Sequence, residues 1–526
     1  MLRNDPNQTE FIDFYLPFGG KLSEHNRWVK LAAMMPWKEV EICYAQSFAG
    51  SKMGAPALSG RIAYGALVIK ERLGISDEET VEQIRENPYL QYFLGLGEYR
   101  ESRLFDPSMM VHFRSRFSQD HHQQINSKII EVAISDSLSN EPKPKESDKP
   151  KEPSDENNQK PGSSDNAGKL LVDATCTPAD ITYPTDLKLL GEAREKTERY
   201  IDCLHAPEIG MKKKPRTYRQ KARKQYLAVA KQKKPGARKI RKAIGQQLRY
   251  IKRNLGHIDA MLADGADLQT LSRYELRCLW VIHELYRQQE HMYREKVHSV
   301  ADRIVSISQP QVRPIVRGKA GKKVEFGAKI SISHIKQGYV TLDRLSWDSY
   351  NESGDLVEQI ETYHRRFGYY PASVHADSIY RTRANRAYCK ERGISLSGKP
   401  LGRPRKETAE NKEQLKAEKK LQAQAEVDRI PVEGKFGNCK RKGTLDRIMA
   451  KLSHTSESVI HVGIIVLNLD KWLKAVLFWL WTRPIRAEQS MIREWSEPMN
   501  PRSFFNLMLL SVTQRLINIR KIGLAA

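Results

Sequence analysis

Apolar residues fall at helical spacing through the first quarter of the chain. Leu58–Leu73 carries such a pattern until Gly74 breaks it, and Ser76 with Glu79 three residues on forms a capping box for the next helix. A third helix is expected from Asp106-Pro107, a cap residue followed by proline at the first helical position, through Met110, Val111, Phe113 and Phe117. From Lys169 the period changes to two. Lys169-Leu-Leu-Val-Asp173 is an apolar run ending in a carboxylate, and Phe326, Ala328, Ile330 and Ile332 alternate with Gly327, Lys329, Ser331 and Ser333. A turn at Lys336-Gln337-Gly338 leads into Tyr339, Val340 and Leu342, making a hairpin. A helix over 355–367 closed by Gly368, a strand Ser373-Val-His-Ala-Asp377, a helix over 380–392 stopped by Gly393 and a short strand at Ile394-Ser395-Leu396 complete a mixed α/β sheet.

These patterns divide the chain. Residues 1–135 form a helical domain for DNA-end binding or dimerisation. Residues 136–168 form a linker, because five prolines, many charges and no aromatic residue cannot bury enough surface to offset ordering entropy. Residues 169–485 form an α/β domain interrupted by a helical insertion at 187–310, and 405–427 is a second, polar insertion of alternating charge. Residues 486–526 form a C-terminal helical segment with an amphipathic pattern over 503–520.

Charge narrows the partners. The 526 residues hold 88 Lys and Arg against 63 Asp and Glu, a net +25, which calls for nucleic acid or an anionic membrane surface. The longest apolar stretch, Val459–Leu469, has 11 residues, against the ~20 that a membrane span needs. The start of the chain lacks the apolar region of a signal peptide. Six cysteines without a CxxC pair fit a reducing cytoplasm and exclude a disulfide framework. No nucleotide-binding glycine motif is present. The expectation is a soluble, cytoplasmic, nucleoid-associated protein with no membrane partner.

Asp173 and Asp377 end two strands, and sites in parallel sheets gather at strand ends. Such a pair of hard oxygen ligands suits Mg²⁺, and a third carboxylate would complete a two-metal site for displacement at phosphorus. Glu433, in Arg429-Ile-Pro-Val-Glu433-Gly-Lys-Phe-Gly-Asn-Cys-Lys440, is the candidate. On a helix Glu433 and Lys440 fall ~20° apart, so carboxylate and ammonium enter one groove. Pro431 is tolerated only near a helix start, which places Arg429 just before the first turn.

Four stretches carry a resemblance: Leu171-Val-Asp-Ala-Thr with Tyr183-Pro-Thr-Asp-Leu; Val312-Arg-Pro-Ile-Val-Arg-Gly-Lys-Ala-Gly with Glu325-Phe-Gly; His375-Ala-Asp-Ser-Ile-Tyr-Arg-Thr-Arg; and Val432-Glu-Gly-Lys-Phe-Gly. With them the chain resembles bacterial insertion-sequence transposases of the DDE type, in the group related to insertion sequence five. The resemblance implies a ribonuclease-H-like catalytic core with Asp173, Asp377 and Glu433 as catalytic and metal-binding triad. It implies two Mg²⁺ or Mn²⁺ ions, cleavage of double-stranded DNA at element ends, 3′-OH strand transfer into target DNA, and a homodimeric synaptic complex. The family's Tyr-Arg-Glu-Lys signature maps onto Arg429, Glu433 and Lys440, with Glu426 at the tyrosine position. Alternatives are a nuclease of the same fold that only nicks DNA and a non-catalytic DNA binder descended from a transposase.

Other residues divide between function and structure. The run 211–253 holds 18 Lys and Arg and no acid, so Lys212, Lys213, Lys214 and Arg216 are candidate DNA contacts. Arg313, Arg317 and Lys319, beside Gly318 and Gly321, suggest a loop closing on phosphate. The helices flanking Gly74 imitate a helix-turn-helix, but acids at 77, 78, 79, 82 and 86 repel phosphate. That favours a bundle or dimer contact there, and makes the third helix, with Arg114 and Arg116, the better DNA candidate. Asp180 and Asp186 are expected to cap, Asp428 lacks the spacing for the triad, and His375 and Trp347 are expected to be structural.

Overall fold

The computed structural model describes residues 15–16, 20–48, 56–139, 166–206, 208–209, 213–316, 324–398, 411–427, 434, 437, 440 and 444–494. Seven helices come first: α1 (Arg27–Met34), α2 (Trp37–Gln46), α3 (Gly60–Leu73), α4 (Asp77–Glu86), α5 (Pro88–Phe93), α6 (Met109–Arg116) and α7 (Gln119–Ser139). Gly74 closes α3 in the left-handed conformation (φ 67°), which a Cβ would disfavour. Ser76 caps α4 by accepting from the Glu79 amide at 3.1 Å, but the Glu79 carboxylate accepts from Gln83 at 2.8 Å, so only half of the expected capping box forms. Asp106 caps a turn, accepting from the Ser108 amide, and α6 starts only at Met109. Helix α7 runs four residues past the expected domain end at 135. The rest of the expected linker, 140–165, lies outside the described residues, as do 495–526.

Six strands form one sheet: β1 (Lys169–Pro178), β2 (Arg313–Val316), β3 (Val324–His334), β4 (Val340–Ser346), β5 (Ser373–His375) and β6 (Ser395–Leu396). Strand β1 lies at the centre, antiparallel to β3 and parallel to β5; β4 and β2 both pair with β3, and β6 extends the parallel side. The order is therefore β4-β3-β1-β5-β6, with β2 beside the start of β3. Asp173 is a correction. It stands in the middle of β1, opposite Ile332, because Thr175, Cys176 and Thr177 continue the strand against β3 to Pro178.

Residues of β1 and β3 that face each other across the ladder share a face of the sheet. On the Asp173 face, Leu171, Ile330, Ile332 and Leu342 form a core with Leu445, Ile448, Val459, Ile460 and Ile464. The last three belong to α15 (Ser453–Glu494), and α12 (Leu356–Phe367) and α13 (Arg383–Glu391) connect the parallel strands. Helix α14 (Lys412–Val427) lies within the second insertion. The chain divides after Leu469, and the second unit is described only as the continuation of α15 to Glu494. Among the described residues no helix is long and apolar enough to cross a membrane.

The first insertion supplies α8 (Asp186–Leu204), α9 (Arg219–Ala230), α10 (Ala237–Ala263) and α11 (Arg273–Glu295). These have a core of their own, built from Leu190, Ile201, Leu248, Ile251, Ile258, Ile282 and Leu285. Inside it the buried Arg194 donates to Glu198 at 2.7 Å and to Gln247 at 3.1 Å. Burial pushes the Glu198 carboxyl up despite that cation.

Candidate active site and cationic surface

The parallel ladder between β1 and β5 pairs Lys169 with Ser373 and Leu171 with His375. The ladder ends there: Asp173 lies two residues beyond Leu171 on β1, and Asp377 lies two residues beyond His375, past the end of β5. The two aspartates are 204 residues apart in sequence, and both are half-buried. Each is oriented locally: Asp173 Oδ1 accepts from the Ala174 amide at 2.8 Å, and Asp377 Oδ1 accepts from the Ser378 amide at 2.6 Å. The latter bond caps a 3-10 turn, Ser378–Tyr380.

Lys440 comes to the Asp173 face of the sheet. Its Nζ donates to Thr175 Oγ1 at 3.1 Å, and Thr175 stands two positions beyond Asp173 on β1, hence on the same side. The backbone is helical at Gly434, Gly437 and Lys440. Further along, the Ile448 amide donates to Pro178 O at 2.8 Å and Asp180 donates to Ile448 O, so the chain after Lys440 is tied to the end of β1. Glu433 and Arg429 lie outside the described residues, as do Asp428, Arg317, Lys319 and Lys212. Among the described residues no cluster of three His, Cys, Asp or Glu side chains could hold a metal ion. The donor set that is present, two carboxylates and a threonine hydroxyl, is made of hard oxygens, which fits Mg²⁺ or Mn²⁺ and disfavours soft metals.

Several other expectations meet their geometry here. His375 is buried, with Nε2 3.1 Å from Ser373 Oγ. Trp347 packs against the sheet core and donates to Glu457 Oε1 at 2.9 Å. Asp180 accepts from Arg447 Nε at 2.8 Å, while Asp186 accepts from Arg303 at 2.6 Å and Gln289 at 2.9 Å. Both are ion-paired struts, with Thr185 capping α8 instead. Arg114 and Arg116 are not available to DNA. Arg114 is buried in a bidentate pair with Asp77, at 3.0 and 2.5 Å, and Arg116 donates to the Tyr44 hydroxyl and lies over Phe48.

The insertion offers cations to solvent. Lys213, Arg216, Lys221, Arg223, Lys224, Lys231, Lys233, Lys234, Arg238, Lys239 and Lys242 are exposed, and none makes an ion pair among the described residues. Lys214 and Arg219 are paired with Asp202, whose carboxyl they hold low, chiefly through the Arg219 hydrogen bond. Arg253 sits between the rings of Tyr218 and Tyr250, at 4.7 and 5.1 Å. Arg313, half-buried on β2, bonds the Pro310 and Val312 carbonyls and lies 3.6 Å from Asp348.

Sequence reasoning missed the polar cluster on the opposite face. There Gln359 of α12 donates to Ser331 Oγ at 3.0 Å and to Asp343 Oδ2 at 2.8 Å, while Thr341 donates to Asp343 Oδ1 at 2.9 Å. Burial pushes the Asp343 carboxyl up to about 6. The signal available in sequence was Asp343, the one acid within the strand β4.

Residues 374–470 match the family model of the transposase DDE domain, and residues 17–116 match that of a transposase domain, DUF772. The first match spans Asp377, Glu433 and Lys440; the second covers α1 to α6 and ends before α7. The chain is also similar to an uncharacterized protein, ORF8 in the nfe locus of Rhizobium meliloti, at 26% identity over 172 residues, covering 33% of this chain and 71% of that protein. No solved structure matches it. With two transposase domains, the chain is similar to insertion-sequence DDE transposases, and a transposase function is indicated.

Proposed function

We propose that this chain, carrying two transposase domains, cuts double-stranded DNA at the ends of its own element and joins the freed 3′ ends to target DNA. The observation that carries the reading is the parallel pairing of β1 with β5, which ends two residues before Asp173 and two before Asp377, together with the bond of Lys440 to Thr175, two positions beyond Asp173. The strand order, three antiparallel strands continued by two parallel ones, supports a ribonuclease-H-like core. The tie between Ile448 and the end of β1 supports Glu433 as the third carboxylate, since Glu433 precedes Lys440 by two helical turns.

In this reading Asp173, Asp377 and Glu433 would hold two Mg²⁺ or Mn²⁺ ions, which when bound supply an activated water and charge stabilisation for the departing 3′ oxygen. The protein's own residues position the DNA. Lys440 and Arg429 bind phosphate oxygens by charge-assisted hydrogen bonds, and the sheet fixes the carboxylate spacing. Arg313, Arg317 and Lys319 would bind the backbone near the site. Lys212, Lys213, Lys214 and Arg216, with the exposed cations of α9 and α10, would hold DNA further away. Two ends must be brought together, so the acting form is taken as a homodimer on the bacterial nucleoid.

The test incubates the protein with labelled element-end DNA, a target plasmid and Mg²⁺. Strand-transfer product is the expected result. Nicked ends alone would support a nuclease of the same fold, and a bound, uncut duplex a non-catalytic DNA binder. Asp173→Asn is expected to abolish chemistry while leaving DNA binding intact, and cleavage by that variant would refute the assigned site.

A further inference from the structure

We propose that the cavity between the end of β1 and the start of α8 takes one unpaired base of bound DNA, with Gln309 accepting from the exocyclic amine of that base. The inference deepens the DNA reading given above and rests on it. The cavity holds about 200 Å³, less than the ~300–1,000 Å³ that encloses a drug-sized ligand, so it admits one ring system with its backbone left outside. Three segments meet around it: 180–184 after β1, the first turns of α8, and 305–309 before β2. Pro184, Leu189 and Val305 give it apolar walls, and Gln309 gives it a polar edge. A nucleobase has the matching shape, apolar faces with hydrogen-bonding groups along its rim.

Gln309 is 1% exposed, and its two amide atoms are held differently. Nε2 donates to Asp180 O at 2.9 Å. A carbonyl oxygen only accepts, so the amide cannot turn over and Oε1 is the atom left. Oε1 has no partner among the described residues. A buried acceptor in this state is costly, and methionine would fill the same space without it. The missing donor therefore arrives with an occupant. Charge at the rim selects a piece of a polyanion. Lys188 and Lys451 line the cavity, are exposed, and make no ion pair among the described residues. Of the two acids, Asp180 accepts from Arg447 at 2.8 Å and Glu192 lies 3.8 Å from Lys196. Phosphates flanking the base would meet the free ammonium groups, while its ring packs on the apolar walls. The stretch Tyr183-Pro-Thr-Asp-Leu thereby gains a purpose: Pro184 is a wall, Thr185 caps α8, and Asp186 ties the turn to Arg303. Asp180 follows Asp173 by seven residues, at most ~25 Å of chain, so the base lies within about seven base pairs of the cleaved bond.

Fluorescence anisotropy measures binding to labelled element-end duplexes, fully paired or with one bulged nucleotide within about seven base pairs of the cut. The bulge is adenine, purine lacking the amine, or an abasic site. Full-length wild type is compared with Gln309→Met and with Thr182→Trp, which fills the cavity from an exposed wall and leaves Gln309 in place. Wild type is expected to bind an adenine bulge about tenfold more tightly than the purine or abasic one. Both variants are expected to lose that preference, with their affinity for paired DNA unchanged. Equal wild-type affinity for the three bulges would mean that the cavity holds only water, overturning the proposal while leaving DNA binding intact. A preference that survives in either folded variant places the base elsewhere and overturns it too. If Gln309→Met melts well below wild type, Thr182→Trp decides alone. If wild type binds no duplex at all, the DNA reading falls and takes this proposal with it.

Discussion

The imidazoles of His122 and His461 lie stacked, ring centroids 5.3 Å apart and planes within 9°, where α7 meets α15. His122 Nδ1 is 2.9 Å from the Tyr64 hydroxyl and its Nε2 3.1 Å from Ser458 Oγ, with His121 nearby; Glu457 and Asp120 are the acids facing His461. Burial holds His122 well below its ordinary value and brings His461 down to about 4. In the unfolded chain both would take protons near pH 6.5, so below that value the unfolded state binds more protons and stability falls with pH. Asp343 opposes this. Its raised pKa makes the fold bind a proton before the unfolded chain does, so its contribution grows as pH falls through about 6. The displacements of His461 and Asp343 are each worth roughly 3 kcal/mol and oppose each other, and His122, held low as well, tips the balance toward loss of stability in acid. The melting temperature is expected to fall by several degrees between pH 7 and pH 5, with His461→Leu flattening the dependence. An unchanged melting temperature over that range would contradict the assignment.

The central ladder owes its register to close approach at Gly327, where a Cβ would lie 2.0 Å from Thr177 O. Gly327→Val is expected to cost about 3 kcal/mol as the strands separate, visible as an earlier urea midpoint; a wild-type midpoint would refute the fit. The hairpin was legible because alternation spells out burial: 326–332 and 339–342 lie within β3 and the turn into β4. The end of β1 was not, since Thr175, Cys176 and Thr177 carry no clear alternation and are recruited by β3. Nor could local pattern reveal that β1 lies beside β5, because register is a property of pairs. The same limit misled at Arg114, whose partner Asp77 is 37 residues away. The cations of α9 and α10 were legible because no acid lies near them in sequence. Changing Lys221, Arg223, Lys224 and Lys239 together to Ala is expected to flatten the salt dependence of DNA affinity by ~0.9 in log–log slope per lost phosphate contact. An unchanged slope would return these residues to ordinary surface.

The N-terminal helices dock on the sheet through polar groups as well as apolar ones. Asn126 donates to Val340 O at 3.2 Å, Asn468 donates to Asn126 at 2.8 Å and accepts from the Val340 amide, and Arg366 donates to Ser127 at 3.0 Å. Because such bonds need fixed geometry, the two regions hold one arrangement, while the net charge of +25 is spread over the whole chain. In the proposed function, three carboxylates from segments far apart in sequence, Asp173, Asp377 and Glu433, would surround the same divalent cations. Iron substitution tests this most directly: Fe²⁺ with ascorbate and peroxide in place of Mg²⁺ generates radicals that cut the nearest backbone. Cuts are expected to cluster around 173, 377 and 433 in one protein, all suppressed by excess Mg²⁺. Cutting around 173 and 377 that leaves 433 untouched, or cutting at none of the three, would contradict it.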